Sequence, residues 1–390
     1  MHVLFVPSWY PTSEAPLDGI YFAEQAQCLS EHGLKVGVIY PEQQSLRRLS
    51  WSALRAKYFQ TEWTHAHGVP TLRRYSWNVW SRFPPGQRCR VRSAVRLGGR
   101  YVERHGPPDV LHAHSARWAG AAAARIGARH DVPFVLTEHY SGVSRGDIFP
   151  WRRPLVREGY RRARAVTAVS PFLRDALAAE WPPSAAAIPV TPNLAPTARF
   201  PRPPTPRPAP PPLRFVTIAR LTLRKNVGGL LEAFARAPLP EGTTLRIVGD
   251  GPQRSRLATR AARLGIRDRV RFLGVLDRPE VRRALWNAHA FVLPSRHETF
   301  GVVLLEAMAT GLPVVATACG GPEALVTDRT GRLVPPDDPT ALADALHEVC
   351  ARWASYDAAA IRSYVSTRYG PTAFVRRTRA LYRRTLHSTA

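Results

Sequence analysis

The chain lacks any run of 18 apolar residues, which excludes a membrane-spanning helix from the hydropathy pattern. It has little sulfur: two methionines and four cysteines, Cys28, Cys89, Cys319 and Cys350. No cysteine sits in a CxxC. That excludes a disulfide scaffold and a zinc ribbon, and four reduced thiols in a cytosolic protein are expected. There is no GxxxxGK[ST] phosphate loop, no GxSxG elbow and no complete GxGxxG after a strand. The first residues carry no basic region and no cleavage site, so no signal peptide is expected. Lysine is nearly absent. Only Lys35, Lys57 and Lys225 occur among 55 basic residues; the rest are arginine. With 37 prolines, this bias matches GC-rich coding, so the net charge of +26 says less about nucleic acid than its size suggests.

What is present is ordinary for a folded chain: 390 residues, 45% hydrophobic and 22% charged. That length suggests two domains. Short Val-, Ile- and Leu-rich runs alternate with helical patterns from the first residue. In the first half the strands read His2–Pro7, Val36–Tyr40, Asp109–His114, Phe134–His139 and Ala165–Ser170. In the second they read Arg214–Arg220, Thr244–Asp250, Val270–Gly274, Ala290–Pro294, Pro313–Ala318 and Arg332–Pro335. Such alternation implies parallel sheets wrapped by helices. Half of residues 196–213 are proline, which no sheet or helix interior tolerates, so this run reads as a semi-rigid extended linker. The expected plan is α/β: a Rossmann-like domain over 1–195, the linker over 196–213, and a second Rossmann-like domain over 214–370. A basic helix follows over 371–390. Ligands of such sheets bind at the carboxyl ends of the strands, here expected in a cleft between the domains.

The residues just after each strand therefore matter most. Glu298 precedes a helix that opens near Phe300 and Gly301, whose N–H groups and dipole favour a phosphate. Glu306 follows eight residues later, about 12 Å along a helix. One carboxylate on a hexose and one on a ribose fits that span; a capping Glu and a surface Glu is the alternative. Arg220 and Lys225 follow the first strand of the second half, where they would flank a diphosphate. Gly249 and Asp250 lie in a Gly-Asp-Gly-Pro turn suited to close backbone approach, although a plain turn fits equally. Gly19 opens the first helix and would offer its N–H to a phosphate. His112, His114 and His139, with Glu138, end two strands of the first half. A zinc site from two strands without Cys or HExxH is disfavoured, and histidines bonding a sugar hydroxyl or a phosphate are expected.

Together these residues resemble the family-four glycosyltransferases, retaining enzymes of the GT-B fold, in which two Rossmann-like domains face across a cleft. The hallmark E-x7-E is matched by Glu298 and Glu306 within His297-Glu298-Thr299-Phe300-Gly301-Val302-Val303-Leu304-Leu305-Glu306. The Arg–Lys pair, the Gly-Asp-Gly-Pro turn, the His-Ala-His-Ser strand end and Ala168-Val169-Ser170 fall in family order. Ala219 and Asp18 stand where the family usually has glycine. The start resembles members that build cell-surface polysaccharides on a lipid carrier. The resemblance implies that Arg220 and Lys225 hold the donor diphosphate and that Glu298 binds the transferred sugar. It implies that Phe300, Gly301 and Gly19 offer N–H groups, Glu306 holds the ribose, and His114 meets the sugar. Glu138, His139 and Ser170 fall on the acceptor side. It implies no metal and no cofactor, since the nucleotide-sugar is a substrate and cationic side chains do the metal's work. The C-terminal helix would cross back to the first domain.

The acceptor is expected to be a saccharide or a polyprenyl-diphosphate-linked acceptor. Residues 47–104 carry 13 basic and 2 acidic side chains with nine aromatics: Trp51, Tyr58, Phe59, Trp63, Tyr75, Trp77, Trp80, Phe83 and Tyr101. This stretch fits a surface meeting anionic lipid on the inner face of the plasma membrane; an ordinary insertion packed on the first domain is the other reading. A sugar-nucleotide epimerase or phosphorylase of the same fold, a non-catalytic scaffold of a polysaccharide-assembly complex, and a nucleic-acid-binding protein are the rival classes. The E-x7-E string speaks against the first two, and the intact Glu298, Lys225 and His114 against the third.

Overall fold

A computed structural model describes residues 1–44, 60–66, 68–77, 83–181 and 188–387. They form two compact units. The first is Met1–Leu194 with the chain from Phe374 on; the second is Ala195–Ala373.

The first unit runs β1 (His2–Pro7), α1 (Ile20–Glu31), β2 (Lys35–Gln44), β3 (Thr61–Ala66), β4 (Val69–Trp77) and α2 (Pro84–His105). Then come β5 (Val110–His114), α3 (Ala119–His130), β6 (Phe134–Glu138), the single turn α4 (Ser141–Ser144), α5 (Arg153–Arg162), β7 (Ala165–Ala168) and α6 (Pro171–Glu180). Its sheet has the order β3-β4-β2-β1-β5-β6-β7, parallel except for β3. All six residues of β1 are buried, as a central strand covered on both faces requires.

The second unit runs β8 (Arg214–Ile218), α7 (Val227–Arg236), β9 (Thr244–Val248), α8 (Arg254–Arg263), β10 (Val270–Gly274), α9 (Arg278–Trp286) and β11 (Ala290–Leu293). It continues with α10 (Val302–Ala309), β12 (Val314–Thr317), β13 (Gly331–Val334), α11 (Pro339–Ala351) and α12 (Ala358–Tyr369). Its six strands are parallel in the order β10-β9-β8-β11-β12-β13, so the direction of winding reverses between β8 and β11. Phe215, Leu230, Phe234, Ile247, Val292 and Leu346 belong to one buried apolar cluster between sheet and helices. Helix starts are capped as the sequence dictates: Asp277 and Glu280 form a reciprocal capping box on α9, and Asp338 caps α11.

The last helix, α13 (Pro371–His387), packs with the first unit from Phe374 on. Tyr382 bonds His112 Nδ1 at 2.7 Å, and Arg379 donates to the His32 carbonyl.

Three expectations change. The proline-rich run carries no helix or strand over 201–213 and is laid along the second unit rather than standing free. Phe200 is fully buried, Trp286 Nε1 donates to Pro201 O at 2.8 Å, and Arg207 donates to Thr310 O at 3.0 Å. Proline lacks the N–H a sheet needs, but its carbonyls still accept. Secondly, β3 and β4 form a hairpin within the stretch read as a lipid-facing surface. Thirdly, several of that stretch's aromatics point inward. Tyr75 and Tyr101 are buried, and Trp63 packs on Tyr101 at 5.8 Å with Arg104 over its ring. Phe83 is exposed. Trp51, Tyr58, Phe59 and Trp80 lie outside the described residues. Among the described residues, no helix is long and apolar enough to cross a membrane.

Candidate active site

The carboxyl edge of the second sheet gathers most of the expected residues. The loop after β8 ends in a turn, Leu223–Lys225, and Asn226 then caps α7. The loop after β11 carries Ser295 to Gly301. Arg296 ties the two loops: its N–H donates to Arg224 O at 2.8 Å and its guanidinium to Leu223 O at 2.9 Å. The backbone of Glu298 is held on both sides. Its N–H donates to Cys319 O at 3.1 Å, and its carbonyl accepts from Gly321 at 2.7 Å. Its carboxylate is thereby fixed at the reversal between β8 and β11, where Lys225 Nζ donates to it and Ser295 Oγ bonds it at 3.0 Å. Burial alone raises a carboxyl pKa. Here the charge and hydrogen bond of Lys225, helped by Arg224 and Ser295, override burial and hold Glu298 below its ordinary value.

Arg220 is exposed at the same edge; its carbonyl accepts from the Thr222 N–H at 2.8 Å, and its guanidinium forms no hydrogen bond or ion pair among the described residues. Gly301 caps α10 at φ +96°, and neither its N–H nor that of Phe300 bonds another described residue. The Phe300 ring itself is buried against Tyr369. The helix begins only at Val302, so the 12 Å helical span between Glu298 and Glu306 does not apply. Glu306 is 6% exposed and bonds Arg278 Nη1 at 2.6 Å.

Sequence reading missed Arg278 and Ser295. Ser295 sits at a strand end, a usable signal; Arg278 is one arginine among many. The Gly-Asp-Gly-Pro turn also has a different cause from the one expected. At Gly249, φ +120°, an added Cβ would lie 1.9 Å from Ala219 O. This glycine makes room for the β8 loop, and Asp250 is turned onto the Gly251 N–H at 2.6 Å.

At the carboxyl edge of the first sheet, three histidines cluster, and two of them stack. His112 and His114 lie 4.0 Å apart, and His114 Nδ1 meets His139 Nε2 at 3.3 Å. His112 also bonds Thr137 Oγ1 at 2.8 Å. Among the described residues no group of three or more side chains is placed to hold a metal ion. His114 has no exposed surface; Phe5 and Phe22 cover it at 4.5 and 4.7 Å. No part of its ring is open at the surface in this structure. Gly19, φ +71°, opens α1 with its Cα against the Trp9 carbonyl; an added Cβ would lie 2.7 Å from that oxygen.

Glu138 is likewise not a group waiting for an acceptor. It is fully buried and accepts from five donors: Ser115 Oγ, Tyr160 Oη and the N–H groups of Ala116, His139 and Tyr140, at 2.6 to 2.9 Å. It ties the loops after β5 and β6 together. Glu138→Ala should cost about 3 kcal/mol or more, since each buried orphaned donor costs about 1–3 kcal/mol. A melting curve checks this; an unchanged Tm contradicts it. Ser170 is spoken for as well, since it caps α6 by accepting from Leu173 N at 3.1 Å.

Comparison with known proteins places the chain among glycosyltransferases. The profile of the glycosyl transferases group 1 matches residues 205–364, and that of glycosyltransferase family 4 matches residues 19–199. A putative teichuronic acid biosynthesis glycosyltransferase of Bacillus subtilis, TuaC, is 29% identical over 369 residues, covering 89% of this chain and 88% of its own. Glycogen synthase of Mycobacterium tuberculosis is 33% identical over 267 residues. That match spans 66% of this chain and 64% of the synthase, so just under two thirds of the relative is covered. Among solved structures, Anabaena HepE in complex with UDP-glucose superposes with a TM-score of 0.71 at 20% identity, over 98% of this chain and 99% of that one.

Proposed function

The chain belongs to the family-four glycosyltransferases and has their GT-B fold, and on that premise we propose that it moves a hexose from a nucleotide-diphosphate sugar to a lipid-linked saccharide, retaining the anomeric configuration, during cell-surface polysaccharide synthesis. The observation that carries this reading is the Lys225–Glu298 pair at the reversal of the second sheet, with Arg220 on the same edge and its guanidinium unpaired among the described residues. The HepE complex with UDP-glucose supports a nucleotide-sugar donor, and the likeness to TuaC supports a polysaccharide product.

In the reaction the bond from sugar to phosphate breaks ahead of attack. The sugar becomes oxocarbenium-like and the diphosphate gains charge. Arg220, Lys225 and the N–H groups of Phe300 and Gly301 receive that charge, which is where fixed dipoles and cations act most strongly. Glu298, ionised at neutral pH, faces the sugar and orients it through its hydroxyls. Glu306 holds the ribose, with Arg278 fixing its carboxylate. Front-face attack lets the departing phosphate oxygen take the acceptor's proton, so no separate base is assigned. These cations make a metal unnecessary. The protein works in the cytoplasm, where nucleotide-sugars are made, at the membrane that carries its acceptor.

A donor screen tests this. The purified protein is incubated with UDP-, GDP- and ADP-sugars, and release of the nucleoside diphosphate is followed. Slow release from one donor, absent in Glu298→Ala and Lys225→Ala, is expected. Equal release by wild type and both variants would contradict the assignment.

A further inference from the structure

Two arginines of the first unit carry charge that no described residue balances. Arg152 is 6% exposed, and its Nε is buried without an acceptor. Its guanidinium makes no hydrogen bond or ion pair among the described residues; it lies 4.6 Å from the Trp151 ring centre and 5.2 Å from that of Phe149. Arg117 also has a buried Nε with no acceptor, and its guanidinium lies 5.8 Å from the Tyr140 ring. Both line one small cavity with Glu138, Tyr140 and Tyr160. Burial first, and then the charge of Arg117, push Arg152 below its ordinary pKa. Glu138 does not answer either arginine, because its oxygens are taken by the five donors named above.

Arginine-rich composition accounts for arginines in water. It does not account for one almost wholly buried and unpaired, since buried charges are as a rule paired. Their place is also informative. Arg117 follows β5, Tyr140 follows β6 and Arg152 leads into α5, so the pair stands at the carboxyl edge of the first sheet, where parallel sheets take ligands. Beside them Phe149 is 57% exposed and stacked on Trp151 at 6.1 Å and 15°. An apolar platform thus adjoins two planar forks of N–H donors, the geometry that matches an anion with several oxygens.

We infer that Arg117 and Arg152 bind the phosphate or diphosphate group of the acceptor substrate, with Phe149 and Trp151 against whatever that group is attached to. Calling the ligand the acceptor rests on the glycosyltransferase reading; the anion site rests on the two arginines alone.

The test titrates the full chain with inorganic pyrophosphate and with farnesyl diphosphate, reading tryptophan fluorescence. The nucleoside diphosphate of the active donor is titrated in parallel. Arg117→Gln and Arg152→Gln should each weaken both diphosphate probes about tenfold or more, the loss expected for one charged hydrogen-bond donor. Nucleotide binding should stay unchanged, which also shows that the variants fold. Arg152→Lys, which keeps a charge, should recover part of the loss. A further loss with Phe149→Ser for farnesyl diphosphate alone would identify a lipid-linked phosphate; no such loss would identify a soluble one. Diphosphate binding that survives both Gln variants, or that disappears only in Lys225→Ala, overturns the site while leaving the donor reading intact. Arginine-dependent diphosphate binding without any nucleotide binding would do the reverse.

Discussion

Lys225→Ala is expected to lower turnover of the donor by about 10²–10³, the cost typical of removing one group that stabilises transition-state charge. Lys225 holds Glu298 in place and supplies a positive charge at the reversal of the second sheet. Removing it acts twice: the leaving diphosphate loses a cation, and Glu298 loses the partner that keeps its carboxyl ionised. Part of any effect of Lys225→Ala comes through the fold, because both side chains are largely covered. Arg220→Ala separates the two contributions. Arg220 is exposed and unpaired among the described residues, so its loss should shift stability by no more than about 0.5 kcal/mol. Turnover should still fall by a similar order, measured as release of nucleoside diphosphate with a melting curve alongside. Full activity in Arg220→Ala and Lys225→Ala would remove both from the reaction.

The second large effect is on pH. Burial drives His112 and His139 to about 3, and it drives His114 well below the ordinary histidine value, with the neighbouring rings adding to the shift. In the unfolded chain these rings titrate near about 6.5. Their folded values are depressed, so the stability they contribute is complete above that point. It is lost as pH falls from about 6.5 toward 3, because the unfolded chain then binds the protons. One such ring contributes a slope of about 1.4 kcal/mol per pH unit, and three together about 4. Against a typical total of about 5–15 kcal/mol, that is enough to unfold the first unit by mildly acid pH. Calorimetry from pH 7.5 to 5 should show its transition falling steeply. The double variant His114→Gln, His139→Gln should flatten that dependence. A transition that stays level across this range would mean that the rings are protonated when folded.

The strands were legible because their apolar runs are bounded by turns; β1 and β10 fall on the expected residues, and most others end within two. The hairpin of β3 and β4 was not, because Thr61-Glu62-Trp63-Thr64-His65 alternates within a stretch dominated by arginine and aromatic residues. Glu298, Lys225 and Arg220 stood out because a strand end next to a polar loop is a strong positional signal. The roles of Glu138 and Ser170 were not readable, since a carboxylate saturated by five donors and one open to a ligand look identical in sequence. Gly249 shows the same limit: a glycine announces a close approach, but not whether backbone or ligand approaches it. Arg278, Arg117 and Arg152 were hidden by composition, for among 52 arginines only the surroundings of each side chain, such as the burial of Arg152, set these three apart.

The most direct test of the account is a calorimetric titration of the full chain with UDP, GDP and ADP, repeated on Lys225→Ala and Glu306→Ala. One nucleotide should bind to wild type with a measurable affinity and at least about tenfold more weakly to each variant, the loss expected for one charge-assisted contact. If none of the three binds, or if the one that binds is held equally well by both variants, the second unit is not a donor site built on these residues.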